Sequence, residues 1–433
     1  MKGKMKKTVM KKFVAICMVC VMGIGISACG AGTGEEPQTS GEEAALEEPQ
    51  ANGEKKELSL WHYWDAEGMQ GAVARLADDY EQETGVKINV TYVPYTEYTQ
   101  KLLVSATGGD IPDLLFFGGN ETATYVEAGI LADITDKIEA SGTMDNSFEG
   151  VIEEHKVGDS LYGLPLYANC LALFYNKDIV QTPPETLSEL YETAKAVTKD
   201  EMYGFAMSGI AGEESSFQFL PFVWSAKEDM NTINGPGTVQ ALDTLAKMIE
   251  EGIMTKDVVN YTQQDVRIAF ETGRAAMMIN GPWQVPSLTE NVPDMDWGVA
   301  MIPKVDGGEF ASVLGGESFG VGKGSDIDGA WEFVDFLMEA ERYGELLRDI
   351  GQLPADKETA QDSYYQDDPV RKLFVEQLEC ARPRLVSPKY NEMSKALQTA
   401  IGGALSGSVG AQEALDQAAE IIVPLYEEFQ NSK

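Results

Sequence analysis

The stretch Glu57–Val93, "ELSLWHYWDAEGMQGAVARLADDYEQETGVKINVTYV", decides the fold. Its first eight residues are dominated by Leu58, Leu60, Trp61, Tyr63 and Trp64, which predicts a strand. In "GAVARLADDYEQETG", Val73, Leu76, Ala77 and Tyr80 share one helical face, and Gly85 is a C-terminal stop. "VKINVTYV" then sets Val86, Ile88, Val90 and Tyr92 against Lys87, Asn89 and Thr91, the alternation of a half-buried strand. Downstream, "IPDLLFF" (Ile111–Phe117) reads as a third strand, continuous and apolar, ended by Gly118 and Gly119. The order β, α, β, α, β implies an α/β fold with a largely parallel sheet covered by helices.

Toward the C-terminus a second such region follows "LYGLPLYANCLALFYNKDIV" (Leu161–Val180). Pro183 and Pro184 break the chain, and "TLSE" (Thr186–Glu189) is a capping box opening a helix with Leu187, Leu190, Tyr191, Ala194 and Val197 on its face. "GTVQALDTLAKMIEEG" repeats the helical pattern, and "SFGVGKGSDIDGAWEFVDFLME" predicts a strand, a turn and a helix buried through Ala330, Phe333, Val334 and Leu337. In "FETGRAAMMINGPW" (Phe270–Trp283) an apolar strand is stopped by Asn280, Gly281 and Pro282. Trp283 then stands just past the strand end, where open α/β sheets place ligands. No repeat of solenoid type is present.

Toward the N-terminus, "MKGKMKKTVMKK" carries six lysines and no acid, and Phe13–Ile26 is apolar but too short to span a bilayer. With the small residues that follow, residues 1–28 read as a secretory signal peptide. Ile26, Ser27, Ala28 and Cys29 resemble the bacterial lipobox, which implies a diacylated Cys29 as mature N-terminus; an ordinary cleavage site containing Cys29 is the alternative. Residues 29–57, rich in Gly, Pro, Ser and Glu, cannot bury enough surface to fold. They read as a disordered tether reaching about 30 Å. The expected location is the outer face of the cell membrane, and a lipid anchor points to a single-membrane bacterium.

Lys plus Arg is 33 against 70 for Asp plus Glu, a formal net charge of -37. Such a surface repels phosphate backbones, so nucleic acid is excluded as a partner. Beyond Cys17, Cys20 and Cys29, only Cys170 and Cys380 remain; they either pair or stay as buried thiols. His62 and His155 are the only histidines, with no HExxH or CxxC, which leaves a zinc site or a Ser-His-Asp triad little to draw on. No catalytic residue, metal or cofactor is expected.

The blocks "LADDYEQETGVKINV", "TGGDIPDLLFF", "YVEAGILADITD", "LYGLPLYANCLALFYNKDIV", "FETGRAAMMINGPW", "WGVAMIPK" and "GGESFGVGKGSDIDGAWEFVDFLM" resemble, in order, those of the family 1 extracellular solute-binding proteins. These are the carbohydrate receptors of ABC importers, a group containing maltose-binding protein. The resemblance implies a two-lobe periplasmic-binding-protein type II fold whose lobes close on ligand by hinge motion. Carried over, the N-terminal lobe is 58–166 plus 315–350 and the C-terminal lobe 167–314 plus 351–433, with the hinge near 166–169, Gly315 and Gly351. It also implies a monomer that delivers its saccharide to a membrane permease driven by an ATPase.

Trp283 matches the family position whose indole packs on a sugar ring. A pyranose offers a C–H face and a hydroxyl rim, so its site needs aromatic plates with carboxylates and amides around them. Trp64 and Asp65 lie just past the first strand, with Asp65 at a family position that binds sugar hydroxyls. Phe117 is another aromatic position, and Asn120 and Glu121 fall where maltose-binding protein has an acidic and a basic contact. Tyr167 and Asn169 follow the "GLP" turn, Asn169 replacing that relative's glutamate, and Gly315, Gly316 and Glu317 combine close backbone approach with a carboxylate. The relative's last stacking aromatic has no counterpart in "NEMSKALQTA", which argues against maltose itself and for a mono- or short oligosaccharide. Trp224 reads as either cleft wall or core; Trp61, Trp297 and Trp331 read as core, His62 as a strand residue and His155 as a solvated edge. Arg382 and Arg384, which either cap helix carbonyls or line the cleft, are left out of the candidate set. The competing readings are a surface glycoside hydrolase with a carboxylate pair, and the same fold carrying a peptide, a polyamine or, least favoured, a metal chelate.

Overall fold

The computed structural model describes residues 57–65 and 67–432. The signal peptide, Cys29 and the tether lie outside the described residues, save Glu57, which already pairs with Lys87 in the first strand. The first sheet has the order Lys87–Tyr92, Glu57–His62, Leu114–Gly118, Glu317–Val321, Leu164–Pro165. Its first three strands are parallel, with Leu58 opposite Ile88 and Leu60 opposite Leu114. Parallel neighbours require crossovers, here the helices Glu67–Thr84 and Tyr95–Gly108. Val73, Leu76, Ala77 and Tyr80 are buried as the periodicity predicts, and Gly85 ends the helix at φ 77° with its N–H donating to Glu81 O at 2.9 Å.

Glu317–Val321 returns from far along the chain and runs antiparallel, setting Phe319 opposite Phe116. The helix after it, Ile327–Leu337, buries Ala330, Phe333, Val334 and Leu337, and Phe333 and Phe336 meet Tyr80 edge-on at 5.1 and 5.0 Å. One expectation fails at the sheet edge. Of the alternating residues in Lys87–Tyr92 only Ile88 is buried, while Val90 and Tyr92 are exposed, because this strand has a neighbour on one side only.

The second sheet has the order Met277–Asn280, Ala172–Asn176, Trp297–Ala300, and its middle strand is antiparallel to both partners. The expected largely parallel arrangement does not extend to this lobe. Its adjacent strands are separated by about a hundred residues, so no short crossover dictates their direction. Among the described residues of this lobe, parallel pairing is confined to short contacts, Ser312–Val313 beside Ala381–Arg382 and the bridges of Tyr203 to Ala275, Ala206 to Met278 and Thr186 to Lys304. Thr186 caps helix Leu187–Val197 as expected, its side chain accepting from Glu189 N, but the Glu189 carboxylate accepts from Glu185 N.

The two sheets have separate hydrophobic cores, and Trp283 packs against both. The chain passes between them where Leu166 N donates to Glu317 O at 2.9 Å, Ala168 N to Leu353 O at 3.1 Å, and Asn169 and Gly315 exchange backbone bonds of 2.8 and 2.9 Å. Gly316 in this crossing has φ 143°, and a Cβ there would lie 2.1 Å from the Tyr167 carbonyl oxygen. Cys170 and Cys380 are free thiols, the first fully buried. No described helix is long and apolar enough to cross a membrane.

Candidate functional site

The strand Met277–Asn280 ends at Gly281, and Trp283 sits in the single turn Pro282–Gln284 beyond it. The indole folds back over Gly281 so closely that a Cβ there would lie 1.9 Å from Trp283 Cζ3. Its ring faces a cavity between the two lobes and lies 6.4 Å, centroid to centroid, from Phe217 on helix Glu213–Ser225. Across the cavity, Tyr63, Trp64 and Asp65 continue past the end of the first strand. Asp65 is exposed, whereas Trp64 is buried against Phe116 at 4.8 Å and Tyr167 at 5.9 Å. With these rings packed on it, Trp64 contributes an edge and an N–H more readily than a stacking plate.

Polar groups converge on the same space. Glu317 accepts from Tyr63 OH at 3.1 Å, and Glu214 accepts from Gln263 N at 2.6 Å. Burial pushes both carboxyls up to about 7, so near neutral pH each is divided between an acceptor and a donor form. Arg384 donates through Nη1 to Glu213 Oε1 at 2.9 Å and lies 4.8 Å above the Phe217 ring.

Among the described residues nine buried side-chain atoms have no hydrogen-bond partner, and five belong to residues lining this cavity: Trp64 Nε1, Asn169 Oδ1, Glu317 Oε2, Gln352 Oε1 and Arg384 Nε. An unmet buried polar atom costs about 1–3 kcal/mol. Donors and acceptors gathered beside aromatic faces suit a ligand of hydroxyl groups, which do both.

Of the residues expected from sequence, Trp64, Asp65, Asn169, Trp283, Gly316 and Glu317 line the cavity. The others lie elsewhere. Phe117 is fully buried, with Tyr125 at 5.8 Å and His155 at 6.2 Å, because its strand is covered on both faces. Asn120 is buried and donates to Glu121 at 3.3 Å. Glu121, raised to about 7 by burial, accepts at 3.1 Å from Asn391 on helix Tyr390–Leu405 of the opposite lobe, a contact between lobes. Tyr167 lies beneath Trp64 in the first core. Trp224 donates to Asp229 at 3.4 Å and lines a second cavity. His155 is no solvated edge: its Nδ1–H donates to Val151 O at 2.5 Å, Nε2 meets the Ser318 hydroxyl, and burial lowers its pKa to about 4.

Phe217, open between wall and core on sequence, and Arg384, for which cleft lining was one of two readings, both line the cavity, and sequence reasoning missed Tyr63, Tyr95, Glu214, Gln263 and Gln352. Phe217 lies seven residues before Trp224, hence on the same helical face, at the end of the helix nearer the cleft. Gln263 opens helix Gln263–Glu271 just after its cap Thr262, and Gln352 follows the helix stop Gly351; neither position carries a pattern that marks a cavity residue.

Residues 75–372 match a family described as bacterial extracellular solute-binding protein. The galactooligosaccharide-binding protein of Bacillus subtilis is 26% identical over 95% of this chain and 96% of its own length. The maltooligosaccharide ABC transporter solute-binding lipoprotein of Streptococcus pneumoniae is 23% identical over 96% and 98%. A solved ABC transporter solute-binding protein from Thermotoga lettingae, bound with alpha-D-tagatose, superposes with a TM-score of 0.80 at 23% identity, covering 85% of this chain and 99% of that one. The fold is therefore that of a two-lobe α/β binding protein, and with more than half of its length matched the chain belongs to the bacterial extracellular solute-binding proteins.

Proposed function

We propose that this protein is the substrate-binding lipoprotein of an ABC importer, capturing a saccharide between its lobes and delivering it to a membrane permease coupled to an ATPase. The observation that carries this reading is the concentration of five unpartnered buried polar atoms around Trp283 and Phe217 in one interlobe cavity. Trp283 and Phe217 supply the plates, Trp64 an N–H, and Asp65, Asn169, Glu214, Glu317, Gln352 and Arg384 the polar rim. The oligosaccharides named for the Bacillus and Streptococcus relatives support this ligand class.

The lobes are 58–166 plus 315–350 and 167–314 plus 351–433, and they close as monomers do in this fold because sugar binds the closed form better. Gly315, Gly316 and Gly351 lie in or beside the crossing segments, which supports hinge motion there. The N-terminal pattern and the lipoprotein name of the pneumococcal relative support removal of 1–28, acylation of Cys29 and a tether from Cys29 to the first strand on the outer face of the cell membrane.

The test is calorimetric titration of the full-length chain against glucose, galactose and their oligosaccharides, beside Trp283→Ala, with recovery of the ligand afterwards. The expected result is tight binding of an unaltered sugar, lost in the variant. Recovery of cleaved sugar would move the protein to the hydrolases, a reading for which the two raised carboxyls Glu214 and Glu317 in the cavity are the relevant feature.

A further inference from the structure

Outside the cavity the two lobes meet along a seam where carboxyls outnumber cations. Glu121 ends the single turn Gly119–Glu121 of the first lobe, and its Oε2 accepts from Asn391 Nδ2 at 3.1 Å. Asn391 stands on helix Tyr390–Leu405, whose Met393 and Leu397 belong to the second core. The other oxygen of Glu121 accepts from Asn120 Nδ2 at 3.3 Å. The cation on the far side of the seam, Arg384, is already taken. Glu213 accepts from its Nη1 at 2.9 Å, and Glu154 and Glu317 of the first lobe draw on the same charge. Four carboxyls, Glu121, Glu154, Glu213 and Glu317, thus share one buried guanidinium, whose Nη2 reaches to 3.8 Å from where a Cβ on Gly118 would stand. The other ionisable neighbours do not change this count. Tyr95, Tyr125 and Tyr390 are phenols kept neutral by burial, Glu214 turns to Gln263 N, and Lys156, on the strand beside helix Thr122–Glu127, is exposed. Arg382, Glu153 and Asp229 face the second cavity, beyond Arg384.

Burying a carboxylate that has no cation of its own is costly, and a proton removes the cost. With the lobes apart, Asn391, Glu213 and Arg384 withdraw, water returns to Glu121 and the group titrates as an ordinary glutamate. With the lobes together, loss of that water, aided by the Glu213 charge, raises its carboxyl to about 7 against the opposing pull of Asn391, Arg384 and Asn120. The two amides suit either form, since each can turn its NH2 or its carbonyl toward the carboxyl.

We propose that closure takes up a proton at Glu121, so that ligand capture is tighter at acid than at alkaline pH and the seam between the lobes senses the medium outside the cell. The inference rests on the closure and saccharide readings above, in which Glu121 lies outside the cavity and touches no ligand. The proton is bound on closing between about pH 4.5 and 7, so affinity is highest below that window, falls as pH rises through it and is level above it.

The experiment titrates full-length wild type, Glu121→Gln and Asn391→Asp with glucose, maltose, galactose and β-1,4-galactobiose at pH 5 and pH 8, and measures the radius of gyration of each ligand-free chain at both. For a sugar that binds, the wild-type Kd should be roughly tenfold or more higher at pH 8. Glutamine keeps the shape and accepts from Asn391 without a proton to exchange, so Glu121→Gln should hold most of its pH 5 affinity at pH 8. Asn391→Asp sets a second carboxyl against the first and should steepen the dependence. A Kd independent of pH, or a dependence left whole in Glu121→Gln because the cavity carboxyls Glu214 and Glu317 cause it, overturns proton uptake at Glu121 and leaves the saccharide reading standing. If none of the sugars binds, the saccharide reading falls and scattering alone decides the seam. A wild-type radius larger at pH 8 than at pH 5, with no such change in Glu121→Gln, then upholds it, and equal radii overturn it.

Discussion

Trp283 is held by its neighbour. A side chain at residue 281 would collide with the indole, so the glycine fixes the plate as surely as the tryptophan supplies it. Gly281→Ala should therefore weaken saccharide binding about as much as Trp283→Ala, roughly ten- to hundredfold, while circular dichroism stays native; an unchanged Kd for Gly281→Ala would show that the indole is not positioned this way. Glu154 makes a prediction about pH. Burial raises its carboxyl to about 7 from 4.5, so the folded chain holds a proton that the unfolded chain releases at lower pH. Folding stability contributed by this group is present below about pH 4.5 and declines as pH rises to about 7. Thermal melts at pH 5 and pH 8 should show a lower Tm at the higher pH, and Glu154→Gln should reduce the difference.

At the level of elements, helices place the site and strand ends expose it. Helix Glu213–Ser225 carries Glu213, Glu214 and Phe217 in its first turns, and the strands Glu57–His62 and Met277–Asn280 stop just before Tyr63–Asp65 and Trp283. Farther from the site, Thr186 caps helix Leu187–Val197 by accepting from Glu189 N at 3.2 Å. Thr186→Ala should cost about 1 kcal/mol in urea denaturation and leave saccharide affinity unchanged. A loss of affinity there would mean the second lobe transmits helix-end changes to the cleft.

Across the whole molecule, Glu121 and Asn391 join the lobes by a single side-chain hydrogen bond. Asn391→Ala removes a contact specific to approached lobes, so it should raise the saccharide Kd a few-fold without lowering Tm much. Small-angle scattering should show a smaller radius of gyration with sugar than without, and an unchanged radius would count against closure. Gly316→Ala is the harsher change, since the crossing has no room for a Cβ beside the Tyr167 carbonyl; a sharp fall in Tm is expected.

The α/β character, the helix faces, Gly85 as a stop and Trp283 beyond its strand were legible in the chain because they depend on local periodicity and steric rules. Asp65, Asn169 and Glu317 were legible in another way, from the family resemblance together with their places after strand ends or beside glycines. What the chain could not state was which of several strand-end aromatics face the cavity. Phe117, beside a promising turn, is sealed by Tyr125 and His155, and Trp224, open between cleft wall and core on sequence, lies away from the first cavity, which Phe217 seven residues earlier lines. Arg384 lines two cavities, held there by Glu213, 171 residues away in sequence. Such placements arise from packing between distant segments, as does the antiparallel middle strand of the second sheet. Local pattern determined the elements, and only the meeting of two lobes decided which side chains share a site, since burial on one element depends on what another lays over it.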